Sequence, residues 1–481
     1  MKKVYYFCRQ LKETLLKKIV IITTYILSSL VYNKVSAQKI NIVFVLADDM
    51  GYGDVGFTGQ KKIQTPFLDS LSKQGILFND FYAGAPVCSP SRFMLITGRN
   101  AGHATIRGNA TIQGGTIGYK GNSIVKRANI LPQDSTIGNI MQSAGYMTAL
   151  MGKWHIGGYD SLATPIQHGF QTFKGWLINQ PETYASTYWP AKWIHQTTLI
   201  DIPQNQNNSK GYYTCDIITD DAISYLKERK QDQKPFFLMV NHSNPHSPLD
   251  APVAPIYKDS VWTNEEKTYA SMVSNVDASV KKITDYLVSS GLDKNTIVIF
   301  TSDNGPRSEP TKQLTAIAEF FNSSGPLRGY KRDLTEGGIR EPFILWSNNK
   351  NVEKRKQINT PLYFPDILPT LGGIANYANT KSYKTEGTDF SSLIFSKREN
   401  KKLSERPLYW EFFEGGFVQA IRYKNWKAII KNNNIELYDL SKDIHEDHNI
   451  ASQNPKIIQK IKDILLHSRE ESPYWPTKES S

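Results

Sequence analysis

The chain has 481 residues, 40% hydrophobic and 21% charged, with a formal net charge of +12. Such a chain buries a large core and has room for one big domain with a small one, or for two of middle size. Its composition is that of an ordinary globular protein, and the absence of internal repeats, zinc-finger spacing and a basic helix removes solenoids and nucleic-acid binders from the reading.

The first residues read as a targeting segment. Lys2, Lys3, Arg9, Lys12, Lys17 and Lys18 precede an apolar run at 19–31, and Val35-Ser36-Ala37 has the small-residue pattern of a cleavage site. The run is short for a span of ~20 residues, and no Cys follows it to make a lipoprotein. We therefore expect a signal peptide over 1–37, export with cleavage before Gln38, a periplasmic or secreted product, and no membrane span in the mature chain. Removing 1–37 takes away seven Lys/Arg and one Glu, so the net charge of +12 falls to +6. That mild bias suits an anionic substrate and does not call for nucleic acid. Cys8 leaves with the signal. Cys88 and Cys215 remain, and a disulfide between them is the alternative to a chemical role for Cys88.

Further along, residues 39–47, 147–151, 236–240, 296–301 and 343–346 are continuous apolar runs rich in branched side chains. They predict strands buried on both faces. Helical patterns at 136–143, 216–228 and 265–290 alternate with them, which predicts an α/β sandwich around a large, mostly parallel mixed sheet flanked by helices. Functional residues in such sheets gather at the carboxyl ends of strands, and both Asp48-Asp49 and Asp303-Asn304 directly follow predicted strands. From about 406 the texture changes. Short strand-like runs at 406–411, 417–423, 426–431 and 436–438 precede a helix at 455–468. The expected organisation is an α/β catalytic domain over 38–405 and a small α+β subdomain over 406–481, with an antiparallel sheet and one helix.

Cys88-Ser89-Pro90-Ser91-Arg92 lies between a strand-like stretch at 76–82 and an apolar segment at 93–96. Pro90 suits the first turn of a helix, which would place Cys88 at a helix N-terminus, where backbone N–H groups and the dipole favour anions. Arg92 lies about one turn later. The bland alternative is a structural Cys ahead of a helix. Asp48, Asp49, Asp303 and Asn304 offer only oxygen, the donor set of Ca²⁺ or Mg²⁺ and not of Zn²⁺. The alternative for the Asp pair is a helix cap.

Six segments together carry a family resemblance. Asp48-Asp49-Met50-Gly51-Tyr52-Gly53-Asp54, the run from Cys88 to Arg99, Gly152-Lys153-Trp154-His155-Ile156-Gly157, Asn244-Pro245-His246-Ser247-Pro248, Ser302-Asp303-Asn304-Gly305-Pro306, and Leu327-Arg328-Gly329-Tyr330-Lys331 with Glu336-Gly337-Gly338-Ile339-Arg340 occur in one order. In that order they resemble the motifs of the type I, formylglycine-dependent sulfatases of the alkaline phosphatase superfamily, and the chain looks like the bacterial polysaccharide sulfatases among them. The resemblance implies that Cys88 is oxidised after translation to formylglycine, whose hydrate is the nucleophile. A formylglycine-generating or anaerobic sulfatase-maturating enzyme would be the partner for that step. It implies one Ca²⁺, rather than Mg²⁺, on Asp48, Asp49, Asp303, Asn304 and position 88. It gives Arg92 and Lys153 to the hydrate, makes His155 a base, and places His246 and Lys331 beside the sulfate ester, one of them protonating the leaving alcohol.

The substrate loops depart from any shared pattern. Trp176, Tyr184, Tyr188, Trp189 and Trp193, interspersed with Lys192 and His195, could stack on sugars and grip anions, or could pack a long loop. Arg107 and His103 lie beyond the run from Cys88 to Arg99 and are further candidates for the cleft. Arg340 and Glu341 read as a structural ion pair. The expected function is removal of sulfate from a sulfated carbohydrate, an algal polysaccharide or its oligosaccharides of ulvan type. The alternatives are a glycosaminoglycan sulfatase, a phosphonate monoester or phosphodiester hydrolase, and an inactive glycan-binding protein.

Overall fold

The strand Asn41–Asp48 is buried along its whole length because it lies between two parallel neighbours, Thr296–Ser302 and Phe236–Pro245. Ile42, Phe44 and Leu46 point into one core, and Val43, Val45 and Ala47 into the other. A strand covered on both faces needs apolar side chains at every position, hence the unbroken run. The computed structural model describes residues 2–31, 39–120, 123–158, 161–177, 186–379, 383–395 and 401–477.

Five strands form the parallel centre of the main sheet, in the order Thr296–Ser302, Asn41–Asp48, Phe236–Pro245, Met147–Lys153, Thr172–Trp176. Antiparallel pairings extend it on both sides, through Phe343–Ser347 on one and Lys192–His195 with Thr198–Asp201 on the other. The whole is a ten-stranded mixed sheet. The helices Pro66–Gln74, Thr214–Asp232 and Asn264–Ser290 pack on one face, and Cys88–Thr97, Ile137–Ser143 and Ile367–Ile374 on the other. Two of these helices start where the sequence puts a cap. Thr136 accepts from the Asn139 N–H, and Thr263 pairs with Glu266 in a capping box.

The run at 76–82 does not form one strand. It breaks into Ile76–Phe78, within the main sheet, and Phe81–Tyr82, which pairs with Leu362–Tyr363. The break falls where Arg340 captures the chain, donating to the Asn79 carbonyl at 2.9 Å and pairing with the Asp80 carboxylate.

The four strands Pro407–Phe412, Val418–Tyr423, Trp426–Lys431 and Asn434–Asp439 form an antiparallel meander, and the helix Pro455–Leu465 follows. They lie within the same compact unit as the main sheet, Ile40–Ser481; Met1–Lys39 is a separate unit containing the helix Lys2–Val31. No helix among the described residues is long and apolar enough to cross a membrane. The meander braces the segment that carries Lys331. Lys427, fully buried, donates to Glu336 at 2.8 Å and lies 3.5 Å from Glu446. Glu446 in turn accepts from the Glu336 backbone N–H at 2.8 Å, and Glu336 also takes the Tyr82 hydroxyl and Arg340. Removing one partner of a buried ion network leaves charge without compensation. Lys427→Met is therefore expected to cost about 3–5 kcal/mol of stability, read as a lowered urea midpoint; an unchanged midpoint would refute the bracing role.

Candidate active site

The carboxyl ends of the central strands converge on one point. Asp48 ends its strand, and Asp49 follows with φ 63°. Asp303 and Asn304 follow the neighbouring strand, Lys153 ends Met147–Lys153, and His246 comes just after Phe236–Pro245. Gly152 adopts φ +99°, and a Cβ there would sit 2.0 Å from the Asn241 carbonyl oxygen. Only glycine permits the close approach that delivers Lys153 into the site. His155 has φ 68° and is pinned at both ends of its backbone, by the Leu177 carbonyl and by the Ser89 hydroxyl at 2.8 Å.

Cys88 is the first residue of the helix Cys88–Thr97, with Val87 as its extended cap, so it occupies the helix N-terminus that Pro90 predicts. Cys88 and Cys215 are both free thiols, which removes the disulfide alternative. The Cys88 Sγ lies 3.3 Å from Asp48 Oδ1, 3.6 Å from Asp49 Oδ1 and 3.2 Å from Lys331 Nζ. Around it the charges interlock. Lys153 Nζ is 2.5 Å from Asp48 Oδ2, and Lys331 Nζ is 2.5 Å from Asp49 Oδ1. Arg92 Nε donates to Asp303 Oδ2 at 2.8 Å while its Nη2 lies 3.7 Å from Asp48. Asn304 donates to Asp49 Oδ1 at 2.8 Å, and His246 Nε2 is 3.6 Å from Asp49 Oδ2.

These neighbours set the protonation states. Burial pushes the Asp48 carboxyl up, but Lys153, His246, Arg92 and Lys331 together hold it well below the usual range. Asp49 is held at about 2 against its own burial, chiefly by Lys331. Asp303 goes the other way, to about 6, through burial and the Asp48 charge. Burial and then the Asp303 and Asp48 charges push the Cys88 thiol far up, so a thiolate is disfavoured here. Burial holds His246 at about 4 and, with Lys153 and Arg127, keeps His155 well below its ordinary value. Both imidazoles are neutral at pH 7. The Asp49 charge outweighs burial at Lys331 and keeps its ammonium protonated.

The same residues suit a hard cation. Asp48, Asp49, Cys88 and His246 bring their donor atoms within 4.8 Å of one another, and Asp303 and Asn304 border them. Among the described residues, Asp49 Oδ2 and Asn304 Oδ1 are buried without a hydrogen-bond partner. Unpartnered buried oxygens are costly, and two of them beside further carboxylates match the all-oxygen donor set of Ca²⁺.

A cleft of about 560 Å³ opens over this cluster, with Asp48, Lys153, His155, His246 and Lys331 in its wall. Residues 40–377 match the family model described as Sulfatase. The chain belongs to the sulfatase family. It is 32% identical over 411 residues to N-acetylgalactosamine-6-sulfatase of Mus musculus, covering 81% of this chain and 72% of that one. It is 26% identical over 503 residues to N-acetylgalactosamine-6-O-sulfatase of Bacteroides thetaiotaomicron, covering 90% and 94%. Among solved structures it is similar to the crystal structure of Ps i-CgsB in complex with k-i-k-neocarrahexaose, with a TM-score of 0.75 and 26% identity over 92% and 96% of the two chains. The fold is that of the type I, formylglycine-dependent sulfatases related to bacterial polysaccharide sulfatases, and membership with the cluster of buried Asp48, Asp49 and Cys88 and half-buried His246 makes the protein a hydrolase.

In this sulfatase the predicted substrate contacts fall elsewhere. Arg107 is buried, 2.7 Å from Glu411 Oε1, and donates to the carbonyls of Ala104 and Glu470, so its charge serves the meander and not the cleft. Lys192 and His195 lie on an outer strand of the sheet, where His195 pairs with Lys174, and neither lines the cleft. Of the aromatic residues, Trp176 and Tyr188 do line it, Trp193 is buried with its indole N–H on Asp221, Trp189 packs on Tyr213, and Tyr184 lies outside the described residues. The expected Arg340–Glu341 pair does not form. Arg340 is bound to Asp80 and Glu336, and both Glu341 carboxylate oxygens are buried without a hydrogen-bond partner among the described residues.

Several site residues escaped the sequence reading. Asn241 holds the Lys153 carbonyl at 2.9 Å, Asn109 accepts from the Ser89 N–H at 3.0 Å, and Arg127 and Arg307 line the cleft. Arg307 immediately follows the Ser302–Pro306 motif, and that adjacency was the available signal. If these oxygens hold Ca²⁺, adding it at a hundredfold excess over its Kd after EGTA treatment should stabilise the fold by about 2.7 kcal/mol. Ca²⁺ should raise the melting temperature at lower concentration than Mg²⁺, and Asp303→Asn should abolish the response.

Proposed function

We propose that this sulfatase removes sulfate from a sulfated carbohydrate through a formylglycine made from Cys88, with a maturating enzyme as its partner in that step. The observation that carries the reading is the setting of Cys88, at a helix N-terminus and within 3.6 Å of two carboxylates and a lysine ammonium. A thiolate is disfavoured there, so an unmodified cysteine is a poor nucleophile. The Sγ atom stands where a hydrate oxygen of the matured residue would sit. Once present, the hydrated aldehyde supplies a hydroxyl nucleophile and a Ca²⁺ on Asp48, Asp49, Asp303 and Asn304 supplies Lewis-acid polarisation of sulfate.

The remaining work belongs to side chains. Arg92 and Lys153 orient the group at position 88 and offset negative charge. His155 is neutral, and its buried Nδ1 has no partner among the described residues, so it can take a proton from a hydroxyl at position 88. Lys331 remains protonated beside Asp49 and gives its proton to the leaving alcohol, while the neutral His246 hydrogen-bonds the ester. Fixed cations aimed at developing oxyanion charge make the largest contribution.

The substrate we propose is an algal polysaccharide or its oligosaccharides, of ulvan type, met outside the cytoplasm after cleavage of residues 1–37. Support comes from the basic, aromatic-lined cleft, from the n-region and apolar run of the N-terminus, and from a similar fold that was solved with an oligosaccharide. Mass spectrometry of the peptide spanning residue 88 should show the aldehyde in active enzyme. An intact thiol in fully active protein would refute the mechanism. Sulfate release should be found from ulvan-type oligosaccharides; release only from glycosaminoglycan or carrageenan oligosaccharides would move the substrate, and a higher kcat/KM on an aryl phosphonate than on the matched aryl sulfate would move the reaction.

The proton donor has its own signature. Sugar alcohols are poor leaving groups and need protonation, whereas 4-nitrophenolate does not. Lys331→Ala is expected to lower kcat on sugar sulfates by roughly 10²–10⁴ and on 4-nitrophenyl sulfate by far less. Equal losses on both would assign Lys331 to sulfate binding alone.

A further inference from the structure

The cations at the reacting centre are matched by carboxylates. Arg92 is taken by Asp303 and Asp48, Lys153 by Asp48, and Lys331 by Asp49. Farther along the wall, Arg332 is taken by Glu309 and Glu414. Asp250, the cleft carboxylate on the other side, is paired with Lys210 at 2.8 Å. Arg307 is different. Its Nε donates to the Glu309 backbone carbonyl at 2.6 Å, and its Nη1 lies 3.3 Å from His246 Nε2. Among the described residues it forms no ion pair with a carboxylate, and it is half-buried in the cleft wall.

A carbonyl oxygen and an imidazole do not pair a guanidinium, and the Asp49 carboxylate acts on it only from beyond ion-pair distance. A planar fork of donors facing a cleft is matched by a carboxylate or sulfate, whose oxygens accept two parallel hydrogen bonds. In the function proposed above the scissile ester already meets Lys331 and His246, and Arg92 and Lys153 serve the group at position 88. We infer that Arg307 is a specificity-determining residue that binds a second anionic group, a sulfate or a uronate carboxylate, on the reacting sugar or the one next to it. The preferred substrate is then polyanionic, which rests on the sulfatase reading and narrows it.

The test compares matured wild-type enzyme on three ligands: a monosulfated sugar from an ulvan-type oligosaccharide, the same sugar with a second sulfate, and the monosulfated sugar joined to a uronic acid, with 4-nitrophenyl sulfate as the activity control. Wild type is expected to prefer at least one of the dianionic sugars by about tenfold or more in kcat/KM. Arg307→Gln should reduce that preference by roughly 10- to 100-fold, mainly through KM, and Arg307→Lys should restore part of it. The wild-type preference should also shrink as salt is raised. Which dianionic sugar responds separates sulfate from carboxylate. Absence of preference in wild type overturns the inference even if the Gln variant fails to fold, as does an equal loss on all substrates in a folded variant. Release from none of the four substrates overturns the sulfatase reading with it.

Discussion

The site depends on keeping three buried carboxylates, Asp48, Asp49 and Asp303, ionised or nearly so at the ends of two adjacent strands. Each alone would be driven neutral by desolvation. Arg92, Lys153 and Lys331 prevent this, and each comes from a different element: the helix Cys88–Thr97, the end of a parallel strand, and the loop behind the C-terminal meander. The carboxylates in turn hold the two lysines and the arginine in place. The centre is thus assembled only when the helix, the sheet and the loop are docked together, and catalysis and folding draw on the same ion pairs.

That coupling explains the C-terminal meander. It contributes no side chain to the reacting atoms, yet Lys427 and Glu446 hold Glu336, and Glu336 starts the short helix Glu336–Ile339 just beyond Lys331. A lysine on a loop could otherwise drift by an ångström, enough to spoil the proton transfer proposed for Lys331. Buried polar clamps are poor sources of stability, but they fix one arrangement out of many.

Most of the architecture was legible because buried parallel strands write themselves as continuous apolar runs, and the Asp48-Asp49 and Asp303-Asn304 pairs sit directly after two of them. The motifs brought together at the centre are contiguous in sequence, so local spacing reports them. What failed was partner choice across long separations. Arg107 meets Glu411 some three hundred residues later, and Arg340 prefers Asp80 and Glu336 to the adjacent Glu341. Successive side chains on an extended segment point apart, so Arg340 and Glu341 could not have paired in the conformation found at Arg340 (φ −90°, ψ 123°). The outer strand bearing Lys192 and His195 looked like a substrate loop because aromatic and basic residues suit both uses, and sequence cannot say which way the sheet grows.

The electrostatics also bear on why the chain encodes a cysteine at position 88 at all. Beside Asp48 and Asp303 a thiolate would add a further negative charge to a buried acidic cluster, and the Cys88 thiol is accordingly pushed far above its normal range. A neutral oxygen-bearing group suffers no such penalty and offers lone pairs of the kind a hard cation prefers. The field that disfavours a thiolate at Cys88 thus suits the oxidised residue proposed above. In the proposed function the same acidic cluster would serve two ends: it disfavours a thiolate in the unmodified chain, and it would hold a cation beside the matured residue.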